Sequence, residues 1–205
     1  MSLRRLRAVF DRSERALARG VPIRKTAVGI WGPSAIEQIV EGAALLREMG
    51  LLGAGAPPAP VVEAGMGDGR VAAVLAHLEP ARPVYGIEWD PVVYAQAVEN
   101  LRALRRRGGY AAVRLIEGDY CDPATYASCG LDLGAPLVIL NYPDGNQQRL
   151  ARFVARHAGP DATLCLFTHD RSVDVAELPL RARRDMPVAV GPDWRVSIYR
   201  VRPSA

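Results

Sequence analysis

Apolar positions follow two different patterns along this chain, and the change between them predicts where strands and helices lie. Five short runs of mostly aliphatic residues are typical of buried strands. Longer segments repeat apolar residues every three or four positions, which is typical of amphipathic helices. The predicted strands are 61–63, 84–88, 112–116, 137–140 and 162–168, and the predicted helices are 3–18, 34–49, 70–77, 90–107 and 146–158, with a short helix opened by Asp122-Pro123.

Local signals set several of these helix ends. Ser34 and Glu37 match a capping box, so we expect a helix to begin there, and Gly50 ends it. Asp90 followed by Pro91 opens another helix, with the aspartate as its cap and the proline in its first turn.

The order of these elements predicts the fold class. Strands and helices alternate between residues 60 and 168, which favours a parallel α/β sheet. Two further runs, Met186 to Val190 and Trp194 to Val201, read as a closing pair of strands. We therefore expect a mostly parallel seven-stranded sheet that ends in a C-terminal antiparallel hairpin.

The N-terminal segment is basic. Residues 1–25 contain eight arginine or lysine residues against two acidic ones. The segment either packs on the core as an amphipathic helix or contacts an acidic partner. We divide the chain into a basic N-terminal helix and loop, 1–30, and a main domain, 31–205. The apolar face of the first helix consists of Leu3, Leu6, Phe10 and Leu17.

Composition excludes several classes of protein. The chain has 205 residues, 49% hydrophobic and 23% charged, as expected of a soluble globular domain with appendages. No apolar run reaches the ~20 residues of a membrane span. The three cysteines lack C-x-x-C spacing, which predicts free thiols, a reducing compartment and a cytoplasmic location. The three histidines form no metal-ligand pair, so we predict no metal site.

A glycine-rich turn follows the strand at 61–63. Glu63, Gly65, Gly67 and Gly69 give the pattern E-x-G-x-G-x-G before a helix. Glycines let the backbone turn sharply and let a ligand approach the main chain. A dinucleotide fingerprint needs its third glycine at position 70, where this chain has Arg70.

Polar side chains end the neighbouring strands and should converge on one cleft, because ligands of open parallel sheets bind beyond the carboxyl ends of the strands. Glu88 ends the second strand, where a carboxylate suits the two hydroxyls of an adenosine ribose. Asp119 follows the third strand, where it is placed to accept from an adenine amino group. Asn141 ends the fourth strand, whereas Asp90 serves only as a helix cap.

This ordered set resembles the class I S-adenosylmethionine (SAM) methyltransferases over about residues 30–170. The resemblance implies a Rossmann-like fold, SAM as cofactor and a catalytic domain at 31–205. It also implies that glycines cradle the methionine part of SAM, Glu63 orients its amino group and Glu88 binds its ribose. The resemblance further implies that Trp89 packs on the adenine of SAM and that the loop around Trp31 closes over the cofactor. The cofactor-binding residues so implied are Trp31, Glu63, Gly65, Gly67, Glu88, Trp89, Asp119 and Tyr120.

A narrower likeness concerns the methyl acceptor. The glycine turn and the helix at 34–49 look like those of the lysine methyltransferases that modify the ATP-synthase c subunit. Asn141-Tyr142-Pro143-Asp144 is similar to the N-P-P-Y signature of amino-group methyltransferases but departs from it at positions 142 and 144. Nucleic acid therefore stays open as a partner without being favoured. We predict N-methylation of an amine, with protein lysine ahead of small molecules, and Asn141, Tyr142 and Asp144 as the catalytic residues.

Two other functions remain open from the sequence. A SAM-binding module that regulates a partner without catalysis would carry the same cofactor motifs. An NAD-dependent oxidoreductase is less favoured because Arg70 replaces the third glycine. The sequence leaves the identity of the acceptor and the oligomeric state undetermined.

Overall fold

A computed structural model describes residues 3–18, 23–26, 28–106, 108, 110, 112–168, 173–186 and 194–201. The helices within these ranges are α1 (Leu3–Ala18), α2 (Ile36–Glu48), α3 (Arg70–Leu78), α4 (Pro91–Arg105), α5 (Pro123–Ser128) and α6 (Gln147–His157). The strands are β1 (Arg24–Lys25), β2 (Ile30–Trp31), β3 (Val61–Ala64), β4 (Val84–Glu88), β5 (Val113–Glu117), β6 (Val138–Asn141), β7 (Thr163–Thr168), β8 (Leu180–Met186) and β9 (Trp194–Arg200). None of the described helices combines the length and the apolar character that crossing a membrane requires.

The main sheet has seven strands in the order β5-β4-β3-β6-β7-β9-β8. Strands β3 to β7 pair in parallel, whereas β9 runs antiparallel to both β7 and β8. This arrangement confirms the predicted mostly parallel sheet with a C-terminal antiparallel pair. From β3 the sheet is extended first toward β4 and β5 and then, on the other side, toward β6 and β7, so the switch point of the strand order lies between β3 and β6. The crevice at the carboxyl ends of these two strands is therefore the expected ligand site.

Two apolar layers cover the sheet, one on each face. Val61 of β3 packs with α1 to α4 on the first face, whereas the next residue, Val62, packs with α5 and α6 on the second. Along β6, Ile139 and Leu140 likewise face opposite layers. Strands covered on both faces read as continuous apolar runs, which is why the sequence identified them.

Helix α1 packs against the rest of the molecule. Leu6, Val9 and Phe10 are buried in the same cluster as Val61 of the central strand. The packing interpretation of this amphipathic helix is therefore confirmed, while the division of the chain at residue 30 stays a prediction. The arginines of the opposite face, Arg4, Arg5, Arg7, Arg12 and Arg15, are exposed.

Three local expectations need correction. Helix α2 begins at Ile36, two residues after the predicted start at Ser34, with Ala35 as its cap, and the Ala35 N–H donates to Gln38 Oε1 at 3.1 Å. Alanine has no side-chain oxygen to return that bond, so the predicted Ser34–Glu37 box is wrong. The loop predicted to follow the first helix and to continue around Trp31 contains the short antiparallel strands β1 and β2.

The last correction concerns the hairpin. Its first strand, β8, covers Leu180–Met186, so only Met186 of the predicted range 186–190 lies in a described strand. Residues 187–190 lie outside the described residues. Most side chains of β8 are exposed, and its pairing with β9 defines the strand. Hydrophobicity alone therefore gave the wrong bounds for this sheet edge.

Candidate functional site

A cleft lies where the sequence predicts it, over the carboxyl ends of the strands around β3 and β6. The glycine turn, the ends of β4 and β6 and the β1–β2 segment form its walls. Nine of the eleven predicted site residues line it: Trp31, Glu63, Gly65, Gly67, Glu88, Trp89, Tyr120, Tyr142 and Asp144. Asp119 and Asn141 are not among its lining residues.

The glycine turn has a backbone that only glycine adopts readily. Gly65, Gly67 and Gly69 have φ angles of 74°, 58° and 80°. A Cβ added at Gly65 would lie 2.9 Å from Asp144 Oδ2. The turn therefore requires glycine both for its conformation and for the close approach of other groups.

Glu88 fastens this turn to the end of β4. One carboxylate oxygen accepts from the Gly67 N–H at 2.9 Å, and the other accepts from the Asp90 N–H at 2.9 Å. Burial raises the pKa of Glu88 to about 7, while the two amide bonds act in the opposite direction. Each oxygen retains a second lone pair that is suited to a hydroxyl donor.

Glu63 lies deeper in the cleft, at the start of α3. Its carboxylate accepts from the Ala72 N–H at 2.8 Å and is almost completely buried. Burial raises its pKa well above the usual value. This acid thus links the end of β3 to the first turn of the helix that follows the glycines.

Three polar side chains converge beside Gly65. A Cβ at that position would lie 2.9 Å from Asp144 Oδ2, 3.4 Å from Tyr120 Cε1 and 3.6 Å from Asn141 Nδ2. The Tyr120 hydroxyl donates a hydrogen bond to the Asp144 carboxylate. Burial raises the pKa of Asp144. Asn141 is completely buried and donates to the Ala64 carbonyl at 2.8 Å. Its Oδ1 has no hydrogen-bond partner among the described residues.

Tyr142 forms an aromatic wall of the cleft. Its ring stacks on Phe167 with centroids 4.3 Å apart and planes 4° apart, and it lies 5.8 Å from the Trp194 ring. Burial raises the pKa of its hydroxyl well above the usual value, so the group stays neutral.

The β1–β2 segment covers the glycine turn. A Cβ at Gly67 would lie 2.8 Å from the Trp31 indole, which shows how closely this ring lies on the turn. The Ile30 N–H donates to the Asp144 carbonyl at 3.0 Å, and Asn146 Nδ2 donates to the Val28 carbonyl at 2.8 Å. The segment is thereby joined to the loop that follows β6.

Asp119 is engaged away from the cleft. Arg149 forms a bidentate ion pair with it, and its Oδ1 also accepts from the Cys121 N–H at 2.8 Å. The same guanidinium lies 5.2 Å from the centre of the Trp89 ring, which is 41% exposed. The predicted adenine contacts of Asp119 and Trp89 stay predictions.

A buried ionic cluster that was not predicted from the sequence lies beneath the glycine turn. Asp68 accepts from Ser13 Oγ at 2.7 Å and from Arg70 Nε and Nη2 at 3.0 and 2.9 Å. Arg70 also donates to the Ser34 carbonyl at 3.0 Å. The one available signal was Ser13 itself, a polar residue between Phe10 and Leu17 on the apolar face of α1.

One curated relative shares a segment of sequence with this chain. It is Protein-L-isoaspartate O-methyltransferase 2 of Anaeromyxobacter sp. (strain Fw109-5), 51% identical over 59 residues. That segment is 29% of this chain and 22% of the relative, so the match spans about a fifth of the relative's length. Comparison with models of protein families finds no match.

Solved structures share the fold. MtNAS in complex with MTA and tNA gives a TM-score of 0.63 at 15% identity, over 81% of this chain and 61% of that one. The rRNA methyltransferase aviRa from Streptomyces viridochromogenes gives a TM-score of 0.58 at 18% identity, over 91% of this chain and 92% of that one. Magnesium protoporphyrin IX methyltransferase (ChlM) from Synechocystis PCC 6803, solved with bound SAM, gives a TM-score of 0.55 at 15% identity, over 80% of this chain and 79% of that one.

These comparisons confirm the predicted resemblance to class I SAM-dependent methyltransferases. The narrower likeness to the lysine methyltransferases of the ATP-synthase c subunit stays a prediction. The identities to the solved structures are low, so those similarities concern the fold. The shared segment adds local sequence to the same conclusion. By its strand order and its likeness to these solved structures, the chain has the fold of the class I SAM-dependent methyltransferases.

Proposed function

We propose that this protein transfers the methyl group of SAM to an amine, with a protein lysine favoured as acceptor and a small-molecule amine next. The observation that carries the proposal is the cluster of polar side chains beside Gly65, at the end of β6. Asp144 supplies a carboxylate there, and Asn141, whose Nδ2 lies 3.6 Å from a Cβ built at Gly65, has an amide oxygen without a hydrogen-bond partner among the described residues. An amine has the N–H groups that such acceptors bind.

The residues of the cleft fit SAM as the methyl donor. Gly65 and Gly67 give the turn its positive φ angles, and without a Cβ they let the Asp144 carboxylate and the Trp31 indole lie directly against it. A SAM molecule bound at the turn would contact both of these side chains. Glu88 has lone pairs for two ribose hydroxyls and a charge that favours a cationic ligand. When bound, SAM supplies an electrophilic methyl group on a sulfonium.

The charges of the cleft favour a cationic acceptor. Glu63, Glu88 and Asp144 all line it, and none of them forms an ion pair within the described part of the chain. Burial raises the pKa of all three groups, but a bound cation favours their ionised forms, which attract an ammonium and repel another carboxylate. This argues against formation of a methyl ester, the reaction that the name of the Anaeromyxobacter relative indicates for that protein.

Each residue at the acceptor end has a separate task in this proposal. An ammonium must lose a proton before its nitrogen has a lone pair, and Asp144 takes that proton because burial raises its pKa. Tyr120 donates to Asp144 and fixes its orientation. Asn141 is fully buried beside the described cleft lining, and in this proposal its oxygen would accept a remaining N–H while the Tyr142 ring confines the amine. Together they would position the nitrogen for attack on the methyl group that SAM supplies, which requires an approach of about 3–3.5 Å.

The proposal is tested with methyl-labelled SAM and a panel of lysine peptides and small amines. We expect transfer of label to an amine in a product that mild base leaves intact. Label released by mild base would identify an ester and contradict the amine acceptor. Binding of SAM without turnover of any acceptor would favour the non-catalytic module, and binding of NAD in place of SAM would favour the oxidoreductase.

A further inference from the structure

A groove outside the cleft runs along α6, with a volume of about 470 Å³. Its basic wall consists of Arg149, Arg152, Arg156 and His157, and the lining residues within the described part of the chain include no acidic side chain. The proposed chemistry gives none of these four residues a task.

Two of these arginines carry a charge that no described residue compensates. Arg149 is paired with Asp119, whereas Arg152 and Arg156 are exposed and form no ion pair within the described residues. They lie four positions apart on one helix face, where like charges repel each other. An anionic ligand in the groove would relieve that repulsion.

The groove continues into the cleft. Asn146 lines both, and its backbone N–H donates to Asp144 Oδ1 at 2.9 Å. At 1.5 Å of rise per helical residue, Arg152 lies about 9 Å and Arg156 about 15 Å along α6 from this junction. An extended peptide covers such distances in about three to five residues.

We propose that the groove along α6 binds an acidic stretch of a protein substrate, about three to five residues from the lysine that enters the cleft. The proposal rests on the proposed function and adds a substrate class to it. A peptide can carry a cation and anions in adjacent positions, matching a cleft lined with carboxylates next to a groove lined with arginines. A nucleic acid is anionic throughout, so its path into the acidic cleft would be unfavourable.

The test measures binding, without turnover, in the presence of S-adenosylhomocysteine. Fluorescence anisotropy compares a labelled peptide that has one lysine flanked on both sides by glutamates with the same peptide carrying glutamines. The Arg152→Gln/Arg156→Gln double variant removes the two free charges and keeps residues that suit an exposed helix. The matched control, Arg4→Gln/Arg5→Gln, removes two exposed arginines of α1. Circular dichroism verifies that both variants are folded.

At low salt, the wild-type protein and the α1 control should bind the glutamate peptide at least about tenfold more tightly than the glutamine peptide. The α6 double variant should lose that preference. When norleucine replaces the lysine in both peptides, the wild-type protein should still bind the glutamate peptide more tightly than the glutamine peptide. The groove is therefore tested even if an amine is not the acceptor. Equal binding of the two peptides by the wild-type protein, or a preference that survives in the double variant, would overturn the proposal. So would tighter binding of a single-stranded oligonucleotide that the double variant abolishes.

Discussion

At the scale of single residues, Glu88 accepts a hydrogen bond from the glycine turn and is proposed to bind the ribose of SAM. Glu88→Ala should weaken SAM binding by about 1.5–3 kcal/mol, because hydrogen bonds to a charged group are lost. Isothermal titration calorimetry measures this change directly. Glu99→Ala, which removes an exposed acid on α4, is the matched control and should leave SAM affinity unchanged. Unchanged affinity in Glu88→Ala would disprove the ribose assignment.

The raised pKa of Glu88 predicts a pH dependence of SAM binding. Burial holds this pKa at about 7 against the usual 4.5, so the free protein keeps the proton across much of that interval. The ionised form binds a cation better, so SAM affinity should increase between pH 6 and about 8. In Glu88→Gln, which cannot ionise, the increase should be smaller. An equal pH dependence in both proteins would assign the effect to another group.

Stability should show the opposite dependence on pH. A raised pKa in the folded state contributes stability that is fully present below about 4.5 and is lost as pH rises through about 7. Urea unfolding of the wild-type protein and of Glu88→Gln at a series of pH values isolates this contribution. We expect the variant to lose less stability across that interval, and identical profiles would contradict the expectation.

Substitution of Asn141 should affect catalysis without affecting cofactor binding. Asn141→Ala should lower turnover by about ten- to hundredfold, because a hydrogen bond to the acceptor nitrogen is lost, while SAM affinity changes little. Tyr142→Phe is the matched comparison, since it keeps the ring stacked on Phe167 and should have a smaller effect. Turnover of Asn141→Ala equal to that of the wild-type protein would exclude Asn141 from the reaction. A labelled-SAM assay and calorimetry provide the two readouts.

The site residues differ in how far sequence could identify them. The glycines and Glu88 follow from local strand–turn–helix order, so their positions in the cleft were predictable. Asp119 also follows a strand, but Arg149, thirty positions later, determines where its carboxylate points. The unpartnered oxygen of Asn141 depends on packing from several strands. Such side-chain partners form only in the folded chain, and a single sequence gives no local sign of them.

At the scale of elements, α1 and the glycine turn form one unit through Asp68. Asp68→Asn should lower the free energy of unfolding by about 3 kcal/mol or more, because the buried Arg70 guanidinium loses its main counterion. Ser13→Ala should cost about 1 kcal/mol, since one hydrogen bond is lost while the ion pair remains.

Urea unfolding measures both effects, and the exposed Glu99–Arg102 pair provides the control. Glu99→Gln should change stability by less than about 1 kcal/mol, as is usual for surface ion pairs. A loss in Asp68→Asn no larger than this control would contradict the structural role given to the cluster.

Elements were predictable where burial gives them a periodic pattern. The central strands and α1 to α4 and α6 appear in the sequence because their apolar residues face a core. Strand β8 is mostly exposed and rich in arginine, so its pairing with β9 left no hydrophobic pattern to detect. The connection of α1 to the glycine turn joins residues 55 positions apart and has no local signal either.

At the scale of the whole molecule, opposite charges are separated. The cleft over β3 and β6 is lined by Glu63, Glu88 and Asp144, while arginines cover the exposed faces of α1 and α6. The fold places this cleft at the point where strand order reverses. A cationic cofactor and a cationic acceptor suit such a cleft, and the surrounding basic surface suits anionic parts of the same substrate.

Calorimetric titration with SAM, with NAD titrated in parallel, shows directly which adenosine ligand the cleft binds. We expect one-to-one binding of SAM, weakened in Glu88→Ala, and no heat from NAD at the same concentrations. The absence of SAM binding, or binding of NAD in its place, would contradict this expectation.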